Sequence, residues 1–201
     1  MSANLGHLQA AASLRRSNPG SRGGAEPRAQ PLSVWQDSTV DLAQTNLAWI
    51  RYPLDDPRMA EFVEAINRIN VIGDRSPGCL WRFRTPGGDA TDVRILDDPR
   101  ILFNLTTWRS LEDLRNYAYR TEHAAFFRRR RDWFLPPPRP PLAMWWVPEG
   151  SRPTVDESVA RLERLWRDGP TPEAFTLKTA FDPDGAPLRA RTGFAAAAPG
   201  A

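Results

Sequence analysis

The order in which two periodicities alternate along the chain limits its fold more than any motif does. Segments with side chains alternating two by two read as strands at 42–52, 79–84, 101–108 and 142–147. Between the first two, Met59, Phe62, Val63, Ile66 and Ile69 recur every three or four residues, which predicts a helix from about Pro57 to Gly73 with Asp55 or Asp56 as its cap. After the third strand, Ser110 and Asp113 form a capping pattern that opens a predicted helix running to about Phe134, with Leu114, Ala118, Thr121 and Ala125 as a stripe of mostly small residues. The prolines of 136–141 end it. Thr154 and Glu157 then open a further helix over 155–168, closed by Gly169 and Pro170, and 175–177 fits a short edge strand. The order β-α-β-β-α-β plus one C-terminal helix predicts an α+β, ferredoxin-like antiparallel sheet.

Such a sheet has helices on one face, and the other face needs cover. Trp145 and Trp146 are neighbours on the fourth strand and must point to opposite faces, so both faces call for apolar cover, which predicts a homodimer. The organised region is expected at 41–180, with a disordered extension over 1–40 and a disordered tail over 181–201, since both ends lack apolar periodicity.

Composition excludes several classes. One cysteine, Cys79, rules out an intramolecular disulfide and a cysteine zinc cluster, and two histidines, His7 and His123, leave at most a single-histidine haem site. The net charge of +3 comes from bases, almost all arginine, that alternate with acids along the chain, which argues against a nucleic-acid partner. The arginine bias fits a high-GC coding sequence of actinomycete type. No apolar run reaches membrane-spanning length and no secretory signal is visible, so a cytoplasmic location is expected.

Five stretches between about 41 and 177 carry a resemblance: LAQTNLAWIRYPLDDPRMAEFV, INVIGDRSPGCLWRF, LFNLTTWRSLEDLRNYAYRTEHAAFFRRRRDWF, LAMWWVPEGSRPT and GPTPEAF. Here the chain resembles the family called domain of unknown function 3291, in the dimeric α/β-barrel superfamily. The resemblance implies a dimeric α/β-barrel type of fold. It leaves activity open, because that superfamily includes cofactor-free monooxygenases, haem enzymes, cyclases, isomerases and binding proteins.

His123 is the first candidate for chemistry, since its unperturbed pKa near 6.5 suits a general acid or base. On a continuous helix Tyr119 and Phe127, four residues to either side, share its face. Asn46 and Asn104 stand inside strands, where Asn is disfavoured, and are candidates to orient a ligand or polarise a carbonyl. Gln44 is a candidate of the same kind. Trp81, Trp108 and Trp146 are candidates to line a pocket for a flat substrate, against the plainer reading of aromatic core. Arg82 reads as solvated surface, and Arg128 to Arg131 as a solvated helix end. The expectation is a small-molecule enzyme with an apolar cavity and no cofactor, acting on an apolar or aromatic natural product by oxygenation, cyclisation or isomerisation. The alternatives are a haem enzyme with His123 as axial ligand, or a non-catalytic protein that only holds a small ligand.

Overall fold

The structure, a computed structural model, describes residues 39–189 apart from Asp89, Asp92 and Glu122, and only the backbone of His123 and Ala125. His7, most of the expected N-terminal extension and residues 190–201 of the expected tail lie outside the described residues. The elements follow as β1 (Val40–Trp49), α1 (Ala60–Arg75), β2 (Cys79–Arg82), β3 (Ile101–Trp108), α2 (Leu111–Arg120), α3 (His123–Arg128), β4 (Leu142–Pro148), α4 (Val155–Asp168), β5 (Ala180–Phe181) and β6 (Pro187–Leu188). The main sheet has the order β2-β3-β1-β4 with every pair antiparallel, which is the ferredoxin-like arrangement.

The helix starts follow from local chemistry. Asp56 accepts from the Arg58 N–H, and Pro57 opens the 3-10 turn that leads into α1. Ser110 Oγ accepts from the Asp113 N–H at 3.1 Å, and Thr154 Oγ1 from the Glu157 N–H at 3.1 Å, so both capping patterns form as read from the sequence.

The two faces of the sheet are covered by different elements. On one face Ala43, Leu47, Phe103, Leu105, Ala143 and Trp145 form a single buried cluster with Leu162 and Leu165 of α4 and with Ala90 and Ile95 of the β2–β3 connection. Trp145 is fully buried there, its Nε1 donating to Glu157 Oε1 at 2.8 Å. This corrects the reason for expecting a second copy, because α4 of the same chain already closes the face that Trp145 occupies. The opposite face is covered by α1, α2 and α3. Leu111 and Leu114 pack with Leu42 and Trp108 at one end, while Met59 and Trp133 pack with Ile50 at the other.

Four details depart from the sequence reading. The expected helix from 111 to 134 breaks at Thr121, whose backbone is extended (φ −107°, ψ 179°) and whose hydroxyl donates to the Tyr117 carbonyl at 2.7 Å. Tyr119 and His123 therefore lie on different helices, and the shared face expected for Tyr119, His123 and Phe127 is lost. In β2 a bulge between Cys79 and Trp81 shifts the register, so Cys79 joins the α2 side whereas Trp81 and Phe83 pack on the α4 side. The edge strand expected at 175–177 is one bridge, Phe175 to Met144, closed by two backbone hydrogen bonds of 2.8 Å. Finally, residues expected as tail from 181 onward pair instead as the β5–β6 hairpin.

Candidate functional site

Polar side chains are costly beneath a helix layer unless each finds a partner. On the face under α1, α2 and α3, five of them make one continuous chain. Trp108 Nε1 donates to Thr106 Oγ1 at 2.8 Å, and Thr106 Oγ1 donates to Gln44 Oε1 at 2.8 Å. Gln44 Nε2 donates to Asn46 Oδ1 at 2.9 Å, and Asn104 Nδ2 donates to the same oxygen at 3.1 Å. Strand register makes this possible: Gln44 lies opposite Thr106 and Asn46 opposite Asn104 across the β1–β3 pair.

The chain runs from dry to wet. Trp108, Thr106 and Gln44 are buried, but Asn46 and Asn104 are reached by solvent, as are the neighbouring Ala48, Leu102 and Leu142. The covered face thus opens onto a floor of two amides flanked by three apolar side chains. The chain above this floor is anchored on either side of it. Leu111, Leu114 and Tyr117 hold α2 at the Leu42 and Trp108 end, and Phe126 and Trp133 belong to the cluster at the Ile50 and Leu102 end. The break at Thr121 and the start of α3 at His123 fall between these anchors.

A charged cluster fixes the dry end. Arg82 lies in register with Thr106, and its side chain is only 7% exposed. It holds Asp74 of α1 through two hydrogen bonds of 2.9 and 3.1 Å, and Arg84 adds a third at 2.6 Å. Burial works to raise the Asp74 pKa, but the two guanidinium groups bring it below its ordinary value. Burial pushes the Cys79 thiol up to about 11, which makes it a poor nucleophile at neutral pH. Tyr117 stacks on Trp108 at 5.1 Å between ring centroids, and burial raises its phenol pKa as well.

Of the residues singled out from the sequence, the structure brings Asn46, Asn104, Gln44 and Trp108 together. His123 begins α3, and its side chain is outside the description. Tyr119 and Phe127 are 43% and 47% exposed, each on its own helix. Trp81 is on the opposite face, edge-on to Phe83. Trp146 shares the face of Trp108 but lies at the sheet edge, its Nε1 donating to the Phe181 carbonyl, where it packs with the Phe175 and Phe181 rings instead of lining the floor. Arg82, read as solvated surface, is instead buried and paired. Thr106, Asp74 and Tyr117 were missed: threonine is ordinary in a strand, and the Asp74–Arg82 pairing spans a turn that no periodicity reports. Two surface clefts of about 500 and 620 Å³ lie elsewhere, along the β2 edge and between the proline connector and α4. Among the described residues no group of three or more His, Cys, Asp or Glu is placed to hold a metal ion, and no helix is long and apolar enough to cross a membrane.

The fold is thus that of an α+β protein of ferredoxin-like topology with a chain of polar side chains beneath its helices. The chain belongs to the family described as Domain of unknown function (DUF3291), whose model matches residues 41–191. No curated protein matches it. Solved structures similar to it include SnoaB, a cofactor-independent oxygenase from Streptomyces nogalater, at 14% identity over 57% of this chain and 96% of that one, with a TM-score of 0.37. A proposed antibiotic biosynthesis monooxygenase from Nitrosomonas europaea is similar at 19% identity over 58% and 94%, with a TM-score of 0.38. A conserved protein from Methanosarcina mazei Go1 is similar at 13% identity over 55% and 93%, with a TM-score of 0.38.

Proposed function

We propose that this protein is a small-molecule enzyme of the monooxygenase-like kind that works without a bound cofactor and seats an apolar or aromatic substrate on the floor of Asn46 and Asn104. The observation that carries this reading is the hydrogen-bonded chain from Trp108 to Asn104, which ends in solvent-reached amides on a face otherwise built for packing. The Asn46 carbonyl oxygen accepts two hydrogen bonds, which polarises its own NH2 group toward a substrate oxygen. A donor so placed stabilises the charge that develops when a carbon acid next to a carbonyl gives up its proton. His123 takes that proton. The resulting enolate is itself the reductant: a CH2 group and O2 become C=O and H2O, so one oxygen atom enters the product and the other leaves in water. Cyclisation or isomerisation would use the same enolate without oxygen.

The test is oxygen uptake with mass analysis of products, using the full chain and a panel of enolisable aromatic compounds. The reading predicts turnover that falls by about 10²-fold in His123→Gln at unchanged melting temperature, the usual scale of acid–base help. Compounds that bind at the floor without turnover would make this a binding protein, a reading that the neutral, non-titrating amides of the floor also suit. A haem absorption band in the purified protein would move His123 to the role of axial ligand and overturn the cofactor-free reading.

A further inference from the structure

Resting on the amide floor as the substrate site, we propose that Asn46 and Asn104 together read a neutral cis-amide edge, a ring C=O with an N–H beside it, as in a lactam. The direction of each hydrogen bond leads there. Asn46 Oδ1 is occupied twice, by Gln44 Nε2 and by Asn104 Nδ2, so its oxygen is fixed inward and its NH2 outward. Asn104 uses one N–H of its NH2 on Asn46, and its own carbonyl oxygen is not taken up in the chain. Among the described residues neither Asn46 Nδ2 nor Asn104 Oδ1 has a hydrogen-bond partner, and both residues are solvent-reached.

The amides can exchange these roles only together. Turning Asn46 over would put its NH2 against two other NH2 groups. Gln44 is tied in turn to Thr106, whose hydroxyl donates to its Oε1 and accepts from the Trp108 indole N–H. With the bonds in this sense, the floor presents the Asn46 NH2 beside the Asn104 carbonyl oxygen across a strand pair. The complementary ligand carries one acceptor beside one donor and no charge. A carboxylate has no donor for Asn104, and a ketone alone leaves the Asn104 oxygen unmet. An enolised 1,3-diketone holds both groups but closes them on each other in an internal hydrogen bond, whereas the C=O and N–H of a lactam lie side by side and stay free. Ala48, Leu102 and Leu142 around the amides supply apolar cover for the ring that bears this edge.

Three probes test this with the full, 15N-labelled chain: 2-quinolinone, N-methyl-2-quinolinone, which lacks only the donor, and 2-acetyl-1-naphthol, whose edge is internally closed. The proposal predicts that 2-quinolinone moves the side-chain NH2 signals of Asn46 and Asn104 and binds at least about tenfold tighter than either other probe, the scale set by one unmet hydrogen bond. In Asn104→Leu that preference should vanish while the backbone spectrum stays native. Equal affinity for the three, binding that leaves the two NH2 signals in place, or no binding up to the solubility limit overturns it. These are equilibrium measurements, so they separate from the enzyme reading. Turnover without the preference sinks only the cis-amide edge, and the preference without turnover of any compound sinks only catalysis.

Discussion

On the α4 side of the sheet, Ala43, Leu105, Ala143 and Trp145 are closed off from water, and the polar Thr45 in that layer donates to a backbone carbonyl, that of Asn104, at 3.1 Å. On the other side of the same strands, Gln44, Asn46, Asn104 and Thr106 bond to one another, and solvent reaches Asn46 and Asn104. One face ties its polar groups to the backbone or to α4 in single bonds, and the other links them into a side-chain network. A fold needs only the first kind, because a network with loose ends costs stability that packing must offset. The difference between the faces thus separates groups closed into the packing from groups that solvent reaches.

The comparison breaks first, and most visibly, on the closed face. Trp145→Ala removes a fully buried ring and its bond to Glu157, and is expected to cost about 3–5 kcal/mol in denaturant unfolding. A cost below about 1 kcal/mol would mean that α4 does not seal this face. Sedimentation of the intact chain tests the expected homodimer separately, since α4 covers only one of the two faces from which it was argued.

A smaller effect is expected from the charged cluster at the dry end of the network. Asp74→Asn should destabilise by about 2 kcal/mol at pH 7, the range for hydrogen bonds to charged groups. The folded-state pKa of Asp74 is lowered from 3.8, so its contribution is complete above about pH 4 and drains away as the pH falls through the lower folded value. The melting-temperature gap between Asp74→Asn and the parent should therefore narrow as the pH is taken below 3.8. A gap that persists there would show that the ion pairs are not its source.

Much of the frame was legible because it rests on local rules. Three strands and α4 begin and end within a few residues of the periodic segments, and the Ser110 and Thr154 caps form as the pattern requires. Periodicity does not report a hydroxyl that bonds back to the preceding turn, so the break at Thr121 was invisible and the Tyr119–His123–Phe127 face was drawn on a helix that does not continue. Nor does it report a bulge: strict alternation along 79–84 would put Cys79 and Trp81 on one face. An amphipathic stripe says that α4 packs but not against what, and this hid the closure of the Trp145 face. In the site, Asn46 and Asn104 were legible because asparagine is out of place inside a strand. Thr106 was not, because threonine belongs there, and Arg82 was not, because its partner lies across a turn.

The network also predicts that its two exposed amides differ. Asn46→Leu strips the acceptor from the buried Gln44 and is expected to cost about 1–2 kcal/mol, the penalty for an unmet donor. Equal costs for Asn46→Leu and Asn104→Leu would contradict the bond directions.

The most direct test is the melting temperature of Asn104→Leu beside that of the parent protein. Asn104 donates only to an oxygen that keeps Gln44 as its partner, so its side chain does little for stability if the floor exists to meet a ligand. The account predicts an unchanged or slightly raised melting temperature, by up to about 4 °C, the scale of 1 kcal/mol in a domain of this size. A fall of more than about 5 °C would show that the amide pair is there to hold the sheet, and would contradict its assignment as the site.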